Sequence, residues 1–400
     1  MTNYQEILPG RLRMAAGDSL RFGVIALIAF LTLVDLFAAQ AILPSLVKKF
    51  EVSRAAMGFA VNACTFGMAI AGLTIALFGR NIDRRDGIGI SLVLLSIPTV
   101  LLSMTDNITV FALLRIAQGL FMSAAFTLTV AYLAEHFSPA QSAGALAAYV
   151  TGNVASNFFG RILSAAVADS FGISINFLTF AALNIAGALL VWVTFKKNER
   201  MMIGGSGQAP AGSAWKAHLV NGELRRSFAI GFLILFVFIG TFTYVNFQLA
   251  APPLALSPMA LGLVYFVFLP SLLTTPLAGL VAGRLGASRG IGLTLGFAIA
   301  GLLALLTPHL PTVLAGMAVI AIGTFLAQAI ATGHVGRVAQ RDKAAASGIY
   351  LASYYSGGLV GSLVVGQVYD RIGWTASIAV MVVALIAAIV LGRPLRSLNS

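Results

Sequence analysis

Long apolar runs, broken by short polar clusters, repeat along the whole chain. They fall at 22–43, 57–78, 88–105, 109–133, 144–168, 175–195, 227–249, 259–280, 290–307, 312–336, 346–368 and 375–392. Each run is continuous and close to the roughly 20 residues that a helix needs to cross a bilayer. The short alternating segments of an outer-membrane barrel are not seen. The pattern predicts an all-α polytopic membrane protein with twelve transmembrane helices.

The longest polar stretch is 196–226, Gly/Ser/Ala-rich in its middle and basic at both ends. It reads as a flexible linker between two six-helix halves. The predicted organisation is an N-tail 1–21, an N-terminal bundle 22–195, the linker 196–226, a C-terminal bundle 227–392 and a C-tail 393–400. The halves look related. A shift of 201 places Gly160 on Gly361, Asp169 on Asp370 and Gly172 on Gly373. A shift of 200 places Gly79 and Arg84 on Gly279 and Arg284. Parallel six-helix repeats are a hallmark of one large transporter architecture.

Charge then orients the spans. Of 25 Lys and Arg, 19 lie in the two tails and the even-numbered connections. The other side holds Lys48, Lys49, Arg54 and Arg371, and Arg115 and Arg161 fall inside spans. The positive-inside rule predicts cytoplasmic termini and a multi-pass protein of the cell inner (plasma) membrane. The net charge of +12 is therefore a topology signal and predicts no nucleic-acid partner. A composition 59% hydrophobic and 10% charged also excludes an ordinary soluble domain. The single cysteine, Cys64, excludes an internal disulfide and a cysteine-based metal cluster. A polar N-terminal tail ahead of a full-length first span predicts no cleaved leader. No ligand spacing for a metal and no phosphate-binding glycine loop occurs, so neither a cofactor nor ATP-driven pumping is expected.

Several motifs carry a family resemblance. "GRNIDRRDG" (79–87) is similar to the glycine/aspartate/arginine signature between helices two and three of the major facilitator superfamily. Gly79, Asp83 and Arg84 fit; Asp86 stands where a glycine is usual, and the basic end is missing. "GLVAGRLGASR" (279–289) resembles its repeat copy through Gly283, Arg284 and Gly286. "RIAQG" (115–119) resembles the fourth-helix signature of proton-coupled members. "GNVASNFFGR" (152–161) and "SGIYLASYYSGGLVGS" (347–362) resemble the YnfM-type branch, near the twelve-helix drug:proton antiporters and arabinose-efflux-like proteins. The resemblance implies two pseudo-symmetric bundles, with helices one, four, seven and ten lining a cavity. It implies that Arg115 supports proton transfer. It also makes Gly79, Asp83, Arg84, Gly283 and Arg284 a conformational latch at the cytoplasmic face.

Only Asp35, Arg115 and Arg161 place a strong charge deep in a span. At 1.5 Å rise per residue, each lies roughly 9–12 Å from the outer end of its helix. An intramembrane charge is a functional-site candidate by default. Asp35 is the candidate proton carrier, and the bland alternative is a permanent Asp–Arg bridge. Gln118 shares a helix face with Arg115. In the fifth span Gly152, Ser156, Gly160 and Ser164 form a small-residue ridge for close helix approach. Beside it runs Asn153, Asn157 and Arg161, whose repeat copy Tyr354, Gly358 and Ser362 has no charge. Tyr244, Asn246, Gln248, Gln328, Tyr350 and Tyr354 complete the expected cavity wall for a partly apolar, ring-bearing substrate.

The reading is a monomeric secondary transporter, not an enzyme. It carries a small, partly hydrophobic organic compound outward by proton-coupled alternating access. The alternative is an organic anion recognised by Arg115 and Arg161, moved in either direction. A membrane-embedded enzyme or receptor is the remote alternative; no catalytic constellation supports it.

Overall fold

A lipid-facing backbone has no water to bond, so every span must satisfy its N–H and C=O groups internally. The computed structural model describes residues 7–78, 82–137, 139–196, 211–339 and 343–395, and these are helical almost throughout, with no strand among them. The helices are α1 (Ile7–Ala41), α2 (Leu43–Phe50), α3 (Arg54–Asn62), α4 (Cys64–Phe78), α5 (Arg84–Leu102), α6 (Ile108–His136), α7 (Pro139–Phe171) and α8 (Ile173–Thr194). The second half has α9 (Ala211–Val220), α10 (Gly222–Ala250), α11 (Pro258–Val264), α12 (Leu269–Thr274), α13 (Ala278–Ala304), α14 (Leu310–Val338), α15 (Lys343–Arg371) and α16 (Trp374–Gly392).

Each of the twelve apolar runs falls mainly within these helices. Among the described residues ten helical segments are long and apolar enough to span a membrane; one of them, Pro258–Ala304, is 47 residues long and holds the eighth run and most of the ninth. The fifth run lies in α7. Span two is split at Ala63 between α3 and α4. Span eight is broken into short α and 3-10 pieces, where Pro270 and Pro276 enter at helix starts. Proline has no N–H for the i−4 carbonyl, which is why the regular ladder fails there. Helix α2 was not foreseen; it buries Leu43 and Leu46 and keeps Lys48 and Lys49 in its last turn. Within the stretch expected to be linker, residues 211–220 are helical, and α10 starts at Gly222 with the Asn221 side chain as N-cap.

The repeat is visible in packing as well as in sequence. Helix α7 lies on α1, and a methyl on Gly152 or Gly160 would strike Ala26 or Val34. In the second half α15 lies on α10 in the same way: Ser353 Oγ donates to the Phe228 carbonyl at 2.9 Å. Gly357 and Gly361 abut the Phe232 and Phe236 backbones. Gly172 and Gly373 both adopt positive φ, 88° and 111°, and each caps the following helix. Only glycine takes that conformation without steric cost, so the same residue is needed at the same turn of both halves.

The two halves meet tightly at the end opposite the linker, called the far end below. Helix α3 packs on α15 there, and α7 packs on α11; α4 continues along α15 toward the linker end, where Leu73 borders the same recess as Ile349 and Ser353. Tyr244 wedges between Gly58 and Gly366, and its hydroxyl donates to the Ser362 carbonyl at 2.7 Å. The Ala55 amide, in the first turn of α3, donates to Asp370 Oδ2 at 2.8 Å. A carboxylate at a helix N-terminus complements the partial positive charge there. The Arg54 guanidinium lies 5.5 Å from the Tyr369 ring and 5.7 Å from the Phe247 ring.

Candidate functional site

Asp35, Arg115 and Arg161 are all buried in the N-terminal half, yet they form two separate sites. Helices α1, α6, α5 and α8 build the first. Gly119 lets α6 touch the Cys64 backbone of α4, which brings Arg115 within reach of both α1 and the α3–α4 break. Arg115 has five N–H donors, and each has an acceptor. Nε donates to Val61 O at 2.8 Å. Nη1 donates to Asp35 O at 3.1 Å and to Gln118 Oε1 at 2.7 Å. Nη2 donates to Leu36 O at 3.3 Å and to Cys64 Sγ at 3.1 Å. A guanidinium offers only five N–H groups, so nothing is left for a ligand. Arg115 ties α6 to α1 and to both sides of the α3–α4 break, and is not a free anion site.

The alternative reading, a permanent Asp–Arg bridge, is not what the structure forms. Among the described residues no cation lies within 4 Å of the Asp35 carboxylate. Oδ1 accepts from Gln118 Nε2 at 3.4 Å, and Oδ2 has no partner. Gln118 also donates to Thr99 Oγ1 at 2.7 Å, and Asn184 Nδ2 reaches the same hydroxyl at 3.4 Å. The carboxyl is therefore positioned by an amide and left half unsatisfied, beside an arginine whose N–H groups are taken by three main-chain carbonyls, Gln118 and Cys64. Such a group can carry a proton without breaking an ion pair.

Arg161 forms the second site, on α7 at the junction of the halves. Its charge is held by rings rather than by a carboxylate. The guanidinium carbon lies 3.9 Å from the Tyr265 ring centre, 5.2 Å from Phe37, 5.3 Å from Phe268 and 5.9 Å from Phe242. A desolvated cation–π contact is worth about 2 kcal/mol. Nη2 donates to Gln40 Oε1, and Nε and Nη1 have no partner. Gln40 is fixed in turn: its Nε2 donates to Asn62 Oδ1 at 2.6 Å, and Asn62 Nδ2 donates to Thr243 Oγ1 at 3.0 Å and Ser362 Oγ at 3.2 Å. Asn246 closes the network, donating to Gln40 O at 3.3 Å and accepting from the Tyr265 hydroxyl at 2.7 Å.

The remaining expected site residues separate into groups. Asn157 is buried beside Arg161, one turn back on the same face, with Oδ1 unpartnered; Asn153 Oδ1 is likewise unpartnered. Tyr244 serves the far-end seal and not a cavity wall. Gln248 accepts from the Tyr369 hydroxyl at 3.3 Å, also at that seal. Tyr350 and Tyr354 stack at 6.1 Å toward the linker end, and the Tyr350 hydroxyl is unpartnered. Gln328 is half-buried on α14. Neither the 650 Å³ recess at the linker end, between Trp215, Arg225 and Ile349, nor the 470 Å³ recess at the far end, between Lys49 and Asp169, is lined by the three buried charges.

Of the latch residues, Gly79 lies outside the described residues. Asp83 caps its own helix, accepting from the Asp86 amide at 2.9 Å. Arg84 pairs with Glu135 at 2.9 Å, tying α5 to α6 within one half. Gly283 and Arg284 are exposed, and an added methyl on Gly283 would touch nothing. Gln40, Asn62, Thr99 and Asn184 carry much of both sites and were missed, because a lone amide or hydroxyl in a span gives no pattern to read. Glu135, which no motif singles out, is exposed and is the partner of Arg84.

Comparison with known proteins agrees with this architecture. The sequence matches the Major Facilitator Superfamily over residues 25–252 and 246–399. It is 27% identical to the inner membrane transport protein YnfM of Escherichia coli, covering 90% of this chain and 86% of that protein. It is 23% identical to the MFS-type transporter YybF of Bacillus subtilis, over 90% and 89% of the two chains. Its fold is similar to the inward-facing, unoccupied crystal structure of a bacterial homologue of the human lysosomal transporter Spinster. That match has a TM-score of 0.77 and 15% identity and covers 94% of this chain and 97% of the other. The chain belongs to the Major Facilitator Superfamily and is a multi-pass membrane transporter of that type, not an enzyme.

Proposed function

We propose that the protein is a proton-coupled secondary transporter that moves a small, partly apolar organic compound out of the cell by alternating access. The carrying observation is the Asp35 carboxylate: buried, with no cation within 4 Å among the described residues, one oxygen on Gln118 and the other unpartnered. A charge buried this way is costly, and a proton removes the cost. Protonation of Asp35 thus favours the far-sealed arrangement, and loss of the proton favours its opening.

The cycle follows from that coupling. With the excess of basic residues marking the cytoplasmic face, the linker end is inside and the far end outside. A proton from outside loads Asp35 while the far end is open. The halves then close there, and the proton leaves toward the cytoplasm. The restored charge drives the return with the compound aboard. In the far-sealed arrangement the Gly283–Arg284 copy at the inner face stands exposed, as a latch for the other state would. Asp83 and Arg84 supply its partner surface on the first half.

Reconstituted protein tests this. With compounds that the native protein concentrates against an imposed pH gradient, Asp35→Asn is expected to lose concentrative transport and keep gradient-free exchange. Full gradient-driven accumulation by Asp35→Asn would remove the coupling role.

A further inference from the structure

We propose that Arg161 is the anchor for the anionic head of the transported compound, and that the substrate class is a small organic monocarboxylate with a flat apolar body. The inference deepens the transporter reading and rests on it. Arginine keeps its charge under all ordinary conditions, so its neutralisation must come from a partner. Among the described residues no carboxylate lies within 4 Å of Arg161. The side chain is fully buried, and Nε and Nη1 have no acceptor. Its one bonded acceptor, Gln40 Oε1, is an uncharged amide. One positive charge is left uncompensated, which matches one negative charge on the ligand.

The surroundings set the rest of the ligand. Phe37 and Gln40 belong to the first half, whereas Tyr265, Phe242 and Phe268 belong to the second. Motion that opens the far end withdraws the three rings of the second half from the guanidinium. A carboxylate then takes the freed N–H groups, and a flat apolar body occupies the space where rings had packed. Asn157 Oδ1, about 6 Å back along the same face, is an unpartnered acceptor suited to a ligand O–H or N–H. Arg115, equally buried, is excluded as the anchor because all five of its donors are used.

The test is thermal stabilisation of the purified full-length protein in detergent by benzoate, benzamide and benzylamine, three probes alike in ring and different in charge. Benzoate is expected to raise the melting temperature saturably; the neutral amide and the cationic amine are not. Arg161→Gln should abolish the benzoate effect. Arg161→Lys, which keeps the charge without the planar fork, should weaken apparent affinity about tenfold. It also serves as the readable variant if Arg161→Gln does not fold. Asp35→Asn should still respond to benzoate, so loss of proton coupling and loss of the anion site are separate outcomes. The proposal is overturned if benzoate gives no stabilisation, if the amide or amine stabilises equally, or if Arg161→Lys responds with unchanged affinity.

Discussion

Arg115 and Arg161 carry the same charge at the same degree of burial, and what receives their N–H groups separates them. Arg115 gives one bond each to Val61, Asp35, Leu36, Gln118 and Cys64. Lysine cannot reproduce five directed bonds, so Arg115→Lys should destabilise the purified protein by about 3 kcal/mol, read as a lower melting temperature. Arg161 makes one bond and leans on four rings, so Arg161→Lys should cost the fold much less. The depth of both arginines, and of Asp35, was legible because a charge stands out in an apolar run. Their partners were not. No Asp–Arg bridge forms, because main-chain carbonyls such as Val61 O, beside the α3–α4 break, take the Arg115 N–H groups, and no charge pattern announces a main-chain acceptor. Tyr265 could be noticed as an aromatic on span eight, but its position over Arg161 depends on how two bundles meet.

Helices carry the pseudo-symmetry, and small residues set how closely they pack. Gly152 against α1 and Gly357 against α10 are close backbone approaches, one in each half. Gly152→Val and Gly357→Val should each lower stability by roughly 1–3 kcal/mol through overpacking, measured by thermal melting. Gly283→Ala should leave melting unchanged, because no atom lies within 4 Å of the added carbon in this arrangement. The same change should slow transport if the inner face must close around that glycine, and a transport rate equal to the native one would argue against the latch. The ridge was readable from its four-residue spacing. The interruptions were harder: Ala63 splits span two with no proline or glycine at the break. Helix α2 is too short to register as a span, and only its packing on the bundle shows that Leu43 and Leu46 are inside.

At the scale of the whole molecule, the far end is closed by contacts that cross between halves, and Asp370 on the α3 N-terminus is among the few that are charged. Asp370→Asn should weaken that closure and raise the population open at the far end. Its repeat counterpart, Asp169, borders the far-end recess instead. Twelve spans were legible in the hydrophobic pattern, since each span needs little more than apolar length, and the relation of the halves was legible in matched positions such as Gly160 and Gly361. Which end is shut was not, because closure depends on side chains such as Tyr244 and Asn62 that look ordinary in sequence.

The central claim is that one proton on Asp35 decides which end is open. Spin labels at Met104 and Ile372, exposed far-end positions in opposite halves, would report the separation directly. Only Cys64 has to be removed for labelling, and Cys64→Ser keeps an acceptor for Arg115. Electron–electron distance measurements across a pH series are expected to give a short distance in acid and a growing long-distance population as pH rises. In Asp35→Asn the short distance should persist at every pH. A distribution that ignores pH, or that shifts identically in Asp35→Asn, would contradict the account.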